Sequence, residues 1–371
     1  SIRRQRQMCI RDRFNTVGQA SKLDEKGQTW YNKTKWKIFF WSKKVMGKLD
    51  DEVLCSVLRP LAYWYEQENI EEVAINHPGD IWLRLRGKRA FPWVNYKDPK
   101  LSREYLTNLL HIIANLNDQE FDPINGSPVV YARIPGGHRF TGVAGKNIEY
   151  DLDDSATGGI AITIRLHTDD VAFGFGDYGL EQGKRLKEIN PLKNIKDPDD
   201  AYERLLLALR RGDHILVSGG TGTGKTTLLN NLLKLLDIHK RVITVEDTRE
   251  LNVPQPNHVH IVLSRTEQTN SMDYSKVIDL IVRFTPDAII GGEISTSNAA
   301  AIWELMGSGH DNCLATIHAE SSTAAYEAFV KRIMRTQPHI DVEKTIEEMR
   351  RKLHVVQIVR DGNIRGITEI T

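Results

Sequence analysis

A chain of 371 residues, 40% hydrophobic and 27% charged, is too long for one ordinary domain and too apolar to stay disordered. It carries no run near the roughly 18 apolar residues of a membrane span, and Cys9, Cys55 and Cys313 form no CxxC pair, which excludes a disulfide framework and a four-cysteine zinc module and points to a reducing cytosol. The net charge of +1 conceals a leader, residues 1–48, with thirteen Lys and Arg against three acidic residues, on a body that is net acidic.

That leader has the charge to meet an anionic surface, lipid or nucleic acid, or to remain a solvated tail. Its first thirteen residues, SIRRQRQMCIRDR, are similar to translated adapter sequence, and they lack the apolar stretch of a secretory signal. Residues 30–46, WYNKTKWKIFFWSKKVM, interleave aromatics with lysines, a composition suited to a membrane interface. So short an apolar run favours an edge element packed on the first domain instead.

A helix is expected over 50–68, with Leu54, Val57, Leu58, Leu61 and Tyr65 on one face. From 73 the period changes to two, and short strands flank the turn Asn76-His77-Pro78-Gly79 as a hairpin. A second helix over 102–115 carries Ser102 as cap and Leu106, Leu109, Leu110 and Ile113 as its buried stripe. Strand patterns at 129–134, 139–143 and 159–166 complete one mixed α+β domain, residues 49–170. Gly, Asp, Lys and Pro dominate the next stretch, and 171–200 is read as a linker.

From 201 to 371 strands alternate with helices, which argues for a parallel sheet with crossover helices: strands at 214–218, 241–246, 259–263, 288–290 and 313–317, then a closing hairpin of 355–359 and 366–369. The strongest motif stands between the first of these strands and a leucine-rich helix expected over 227–236. Gly219-Gly220-Thr221-Gly222-Thr223-Gly224-Lys225-Thr226, followed by Thr227, fits the phosphate-binding P-loop pattern. Glycines without Cβ let successive N–H groups curl around a phosphate at a helix N-terminus, Lys225 reaches the β- and γ-phosphates, and Thr226 reaches Mg²⁺. Three further clusters end strands of the same series: TVEDTRE with Glu246 and Asp247, PDAIIGGE with Glu293, and ATIHA with His318. Each has a bland reading as a helix cap or turn residue, but carboxylates at the carboxyl edge of an open α/β sheet lie where a nucleotide's phosphates and metal would lie.

Together, and in this order, these boxes resemble the traffic ATPases of type IV secretion and conjugative transfer, within the superfamily that also drives type II secretion and type IV pili. GGTGTGKTT is similar to that family's Walker A box, TVEDTREL to its Asp box, PDAIIGGEI to its atypical Walker B box and GHDNCLATIHA to its His box, while EEVAINHPGDIWLR and RIPGGHRFTGV are similar to its N-terminal domain. The resemblance implies an α/β chain with a C-terminal RecA-like P-loop ATPase domain behind a mixed α+β, PAS-like domain. It implies ATP and Mg²⁺, a homohexamer, ATP bound between the two domains, inner-membrane secretion-machine partners and a cytoplasmic, membrane-peripheral place; nucleic acid is not required.

By the same resemblance, Glu293 is the base or water-positioning group, Glu246 and Asp247 polarise water and metal, Thr226, Asp247 and Glu293 serve Mg²⁺, and His318 senses the γ-phosphate. Arg133, Arg139 and Arg165 are the candidates for charge stabilisation of the Arg-finger kind. Two family arginines are replaced here by Ser295 and Thr285; Arg283 fits the pattern upstream, and Arg249 or Arg265 are the substitutes to consider.

Two other classes compete with the motor: a nucleic-acid-stimulated RecA-like translocase, which the near-neutral charge disfavours, and a nucleotide-gated adaptor with little turnover. The missing tetracysteine module turns the reading from type II toward type IV secretion, and no LSGGQ-like signature supports a transporter ATPase. His258 and His260 alternate along a strand, but with no third ligand in view they read as ordinary strand positions, as do His77 and His138 in their own segments.

Overall fold

The computed structural model describes residues 48–67, 69–87, 92–151, 158–167, 178, 182–183, 191–263 and 272–371. The basic leader, the 30–46 segment, Arg265 and most of the 171–190 part of the expected linker lie outside the described residues.

The first helix, α1 (Lys48–Tyr65), buries Leu54, Leu58 and Leu61 completely, each stabilising by about 1.5–3 kcal/mol. It ends three residues before the expected 68 and carries Pro60 inside it. β1 (Ile70–His77) and β2 (Asp80–Leu85) form the expected hairpin, with Gly79 at φ 76° in the turn. The α2 helix (Arg103–Leu116) is capped by Ser102, whose hydroxyl accepts the N–H of Tyr105, and it buries the predicted stripe.

The remaining strands of this sheet are β3 (Trp93–Lys97), which the sequence did not announce, β4 (Val129–Ile134), β5 (His138–Gly145) and β7 (Gly159–Arg165). They pair antiparallel in the order β3-β2-β1-β7-β5-β4. α1 and α2 share a continuous apolar cluster with this sheet.

The second sheet is built from β8 (His214–Gly219), β9 (Val242–Glu246), β10 (His258–Val262), β11 (Ala288–Gly291), β12 (Cys313–Ile317), β13 (Leu353–Asp361) and β14 (Ile364–Ile370). Its order is β14-β13-β8-β12-β11-β9-β10-β6, where β6 is the two-residue strand Ile148–Glu149. The six strands from β13 to β10 run parallel and the outer two are antiparallel. The β13–β14 pair is the predicted closing hairpin.

The expected division of the chain assigned all of 49–170 to the first domain, yet β6 adds itself to the edge of the second sheet. Ile148 is fully buried there, and its strand satisfies an edge backbone that β10 would otherwise leave unpaired.

Crossover helices cover the second sheet: α3 (Ala201–Arg211), α4 (Lys225–Leu233), α5 (Tyr274–Arg283), α6 (Ala299–Gly307), α7 (Ser322–Ile333) and α8 (Val342–Lys352). One apolar cluster joins Val129, Val143, Ile148 and Ala161 to residues of the second sheet and its helices. Beside it lies a buried polar seam. Arg241, fully buried, donates from Nε to the Phe284 carbonyl at 2.9 Å and from Nη1 to Asn76 Oδ1 at 2.8 Å and Asn257 Oδ1 at 2.6 Å. Its guanidinium also stacks 5.3 Å from the Trp93 ring centroid. No helix among the described residues is long and apolar enough to cross a membrane.

Candidate nucleotide site

Strand order explains why distant motifs meet. β8, β12, β11 and β9 are consecutive parallel neighbours, and their register sets Ser218 against Ile317, and Gly291 against both Ala315 and Val245. The P-loop, Glu246, Glu293 and His318 therefore all emerge at one carboxyl edge, the crevice where open α/β sheets bind ligands.

The P-loop leaves β8 and turns into α4 through Gly222 at φ 71° and Gly224 at φ 95°, left-handed conformations that glycine adopts without steric cost. Gly219 is held from another side: a Cβ there would lie 2.6 Å from the Ile358 carbonyl oxygen and 2.7 Å from Thr223 Oγ1. Thr223 in turn donates to the Gly220 carbonyl at 3.0 Å. Lys225 opens α4 and is only 7% exposed. Its ammonium donates to the Gly220 carbonyl at 3.0 Å and stands 3.2 and 3.4 Å from the two ring nitrogens of His318. Burial lowers its pKa, partly countered by the charge of Glu293. Across the ring, His318 Nε2 is 3.8 Å from Glu293 Oε2. Lys225, His318 and half-exposed Glu293 thus form one contiguous group.

The other predicted residues divide. Thr226 donates to Glu250 Oε2 at 3.1 Å, and Asp247 accepts from the Tyr274 hydroxyl at 2.5 Å. Glu246 is buried and its Oε2 accepts the backbone N–H groups of Glu250 and Leu251 at 2.7 and 2.8 Å, with Thr244 on Oε1 at 3.2 Å. Burial raises its pKa, opposed by those backbone hydrogen bonds. This carboxylate closes the turn after β9, the bland alternative for a strand-end acid, and it is not turned to solvent.

Arg133, Arg139 and Arg165 stand opposite one another on β4, β5 and β7 and are exposed; the cross-strand register continues to Glu72, which is buried, and Arg84, which is half-buried. Among the described residues no hydrogen bond or ion pair joins the three predicted arginines to the P-loop group. At the two positions where the family has arginine, Ser295 bonds to the Ser297 hydroxyl and the side chain of Thr285 donates to Glu72 at 2.5 Å across the seam. Arg283 stacks 4.7 Å from the Tyr131 ring instead.

Sequence reasoning passed over several contacts. Glu250, inside the quoted TVEDTRE run, reaches Thr226; Arg249, considered as a substitute arginine, instead lies 3.6 Å from Glu246 and 2.5 Å from Asp151. Arg332, on α7, feels the charge of Glu293, and its Nη1 is buried without a hydrogen-bond partner among the described residues. Only the Glu250 contact was legible in principle, as an acid four residues beyond Glu246 in the same loop.

The residues fit a triphosphate with its metal. Lys225 is a buried cation with no carboxylate within ion-pair distance among the described residues, and such a charge needs an anion. Beside it, Thr226 and Glu250 cluster hard oxygen donors of the kind Mg²⁺ takes.

A profile of the family described as type II/IV secretion system protein matches residues 59–356. The chain is 29% identical over 339 residues to the type IV secretion system protein VirB11 of Brucella suis, covering 84% of this chain and 88% of that protein. It is 27% identical over 293 residues to the type IV secretion system protein PtlH of Bordetella pertussis, covering 75% and 81%. The crystal structure of the Brucella suis VirB11 ATPase in complex with sulphate superposes with a TM-score of 0.72 at 27% identity, over 87% of this chain and 95% of that one. The expected α/β class with a RecA-like ATPase domain therefore holds, and the chain belongs to the type II/IV secretion system protein family, among its secretion ATPases.

Proposed function

We propose that the chain hydrolyses ATP to ADP and phosphate as the motor of a type IV secretion or conjugation machine, working as a homohexameric ring at the cytoplasmic face of the inner membrane. The observation that carries this reading is the buried, anion-seeking ammonium of Lys225, set at the head of α4 beside His318, which in turn lies 3.8 Å from Glu293. The names of the matched relatives favour a type IV secretion machine over a type II or pilus motor.

In this reading Gly219, Gly220, Thr221, Gly222, Thr223 and Gly224 offer backbone N–H groups to the phosphates, and Lys225 leaves the Gly220 carbonyl and His318 to hold the terminal ones. Thr226, with Asp247 and Glu250, would hold Mg²⁺, which when bound neutralises charge on the β- and γ-phosphates. Glu293, exposed at the site's mouth, orients water and takes its proton. His318, between Lys225 and Glu293, loses one neighbour when the ammonium turns to phosphate, which suits a γ-phosphate sensor. Glu246 acts indirectly, by holding the 249–251 turn.

The row Arg133, Arg139 and Arg165 serves in trans: it is exposed and, among the described residues, makes no hydrogen bond or ion pair with its own P-loop group, which favours delivery to a neighbour's phosphates. Machine components at the membrane are the expected partners, and nucleic acid is not required. The test is the ATPase rate per subunit across a wide range of protein concentration with Mg²⁺ present. A rate that climbs and saturates with assembly supports a site completed in trans; a rate that stays constant while light scattering shows monomers giving way to rings contradicts it.

A further inference from the structure

The edge of the second sheet carries a cluster that the nucleotide site does not use. His258 and His260 alternate along β10 and so project from the same face. β6 pairs with that strand, Glu149 opposite His260, and two residues later Asp151 lays its carboxylate across both imidazoles. His258 Nε2 lies 2.9 Å from Asp151 Oδ2, and His260 Nε2 lies 3.3 Å from Oδ1. The third ligand that sequence spacing could not supply is present, contributed by the segment that follows β6, more than a hundred residues earlier in the chain. One ligand atom from each residue can be chosen so that all lie within 4.8 Å of one another. Tetrahedral zinc with bonds of about 2.0–2.1 Å sets its ligand atoms about 3.3 Å apart.

The ring nitrogens on the far side are already committed. His258 Nδ1 sits 2.6 Å from the Gln255 carbonyl, which only accepts, so that nitrogen carries a hydrogen. The Thr244 hydroxyl donates to Glu246, so at 2.7 Å it accepts from His260 Nδ1. A neutral ring in either position therefore aims its Nε2 lone pair at a carboxylate, an arrangement that requires a positive group between them. Arg249 Nη2 fills part of that need, 2.5 Å from Asp151 Oδ1 and 2.8 Å from His260 Nε2. The His258–Asp151 contact is left to a second proton on the ring or to a metal ion. Nδ1–H groups anchored to a carbonyl and a hydroxyl are how metal-binding histidines are oriented.

We propose that Asp151, His258 and His260 form a site for a first-row divalent transition ion of the zinc class, separate from the nucleotide's Mg²⁺, which pins the segment after β6 to the ATPase sheet. Two imidazole nitrogens with one carboxylate select such an ion over Mg²⁺ or Ca²⁺. Arg249 competes with it, so occupancy displaces that guanidinium from Asp151 toward its other partner, Glu246.

The test uses the full chain, stripped with a chelator and free of nucleotide, titrated with Zn²⁺ against a chromophoric zinc indicator. One ion per chain is expected. Loss of an orienting partner alone weakens metal sites about 10- to 100-fold, so His258→Ala and Asp151→Asn should lose at least that much, while Arg249→Gln should bind more tightly than the parent. His258 is only partly buried, so His258→Ala is the variant that folds most safely, and its fold is checked by its melting transition. X-ray absorption at the zinc edge should show two imidazole nitrogens. No zinc binding by the parent chain, or parental affinity in both His258→Ala and Asp151→Asn, overturns the proposal.

Discussion

Replacing Arg241 by Met tests whether the seam between the two sheets is held by hydrogen bonding to a buried cation. Methionine fills most of the space but donates nothing. Asn257 Oδ1 keeps the Asn76 amide as a donor at 2.8 Å, whereas Asn76 Oδ1 and the Phe284 carbonyl both lose theirs. Each orphaned buried acceptor costs about 1–3 kcal/mol. Glu72, 1% exposed, also loses one of the charges that offset its burial. Against this, the guanidinium is desolvated, which lowers its pKa to about 10, and its Nη2 already lacks a partner among the described residues, so removing it recovers some energy. The balance is a loss of about 3–5 kcal/mol, the usual result of breaking a buried charged network from one side. Urea denaturation of the two proteins measures it, and Arg241→Lys, which keeps the charge without the fork, should lose less. A loss under about 1 kcal/mol for Arg241→Met would refute the view that these bonds hold the seam.

Other outcomes follow from single contacts. Gly219→Ala forces a Cβ to 2.6 Å from a backbone carbonyl, so it should cost about 1–3 kcal/mol of stability and weaken nucleotide binding; isothermal titration at full affinity would contradict the steric argument. His354 has its pKa raised, chiefly by its hydrogen bond to Asp213 at 3.2 Å, with burial opposing. A raised folded pKa means stability that is complete below the ordinary histidine range near about 6.5 and lost as pH rises through the folded value. His354→Gln should therefore melt earlier than the parent in acid and converge with it in alkali, and a gap that widens with pH would reverse the sign. Charge reversal at Arg139 should lower the assembled ring's turnover while leaving nucleotide affinity of dilute subunits unchanged; equal loss of both would place that arginine at its own subunit's nucleotide.

The parts of the site that the sequence disclosed are those written contiguously. The P-loop sits between a strand and a helix, and the acids and His318 stand at the ends of apolar runs, so alternation rules alone bring them to one edge. What stayed hidden depends on long-range packing. β6 is two residues long and has no pattern of its own, so neither its place on the second sheet nor the position of Asp151 beside His258 and His260 could be read from spacing. Arg241 reads as the polar start of a strand and only the fold encloses it. Glu246 fitted a catalytic pattern, yet its environment turns the carboxylate toward backbone amides. β3 escaped because Trp93-Val94-Asn95-Tyr96-Lys97 shows little apolar alternation and lies at a sheet edge.

The most direct test of the motor is Mg²⁺-dependent ATP hydrolysis by the parent chain, Lys225→Ala and Glu293→Gln, with nucleotide binding measured alongside. A motor of this kind shows turnover in the parent, neither binding nor turnover in Lys225→Ala, and retained binding without turnover in Glu293→Gln. Hydrolysis at the parental rate by Lys225→Ala would contradict it.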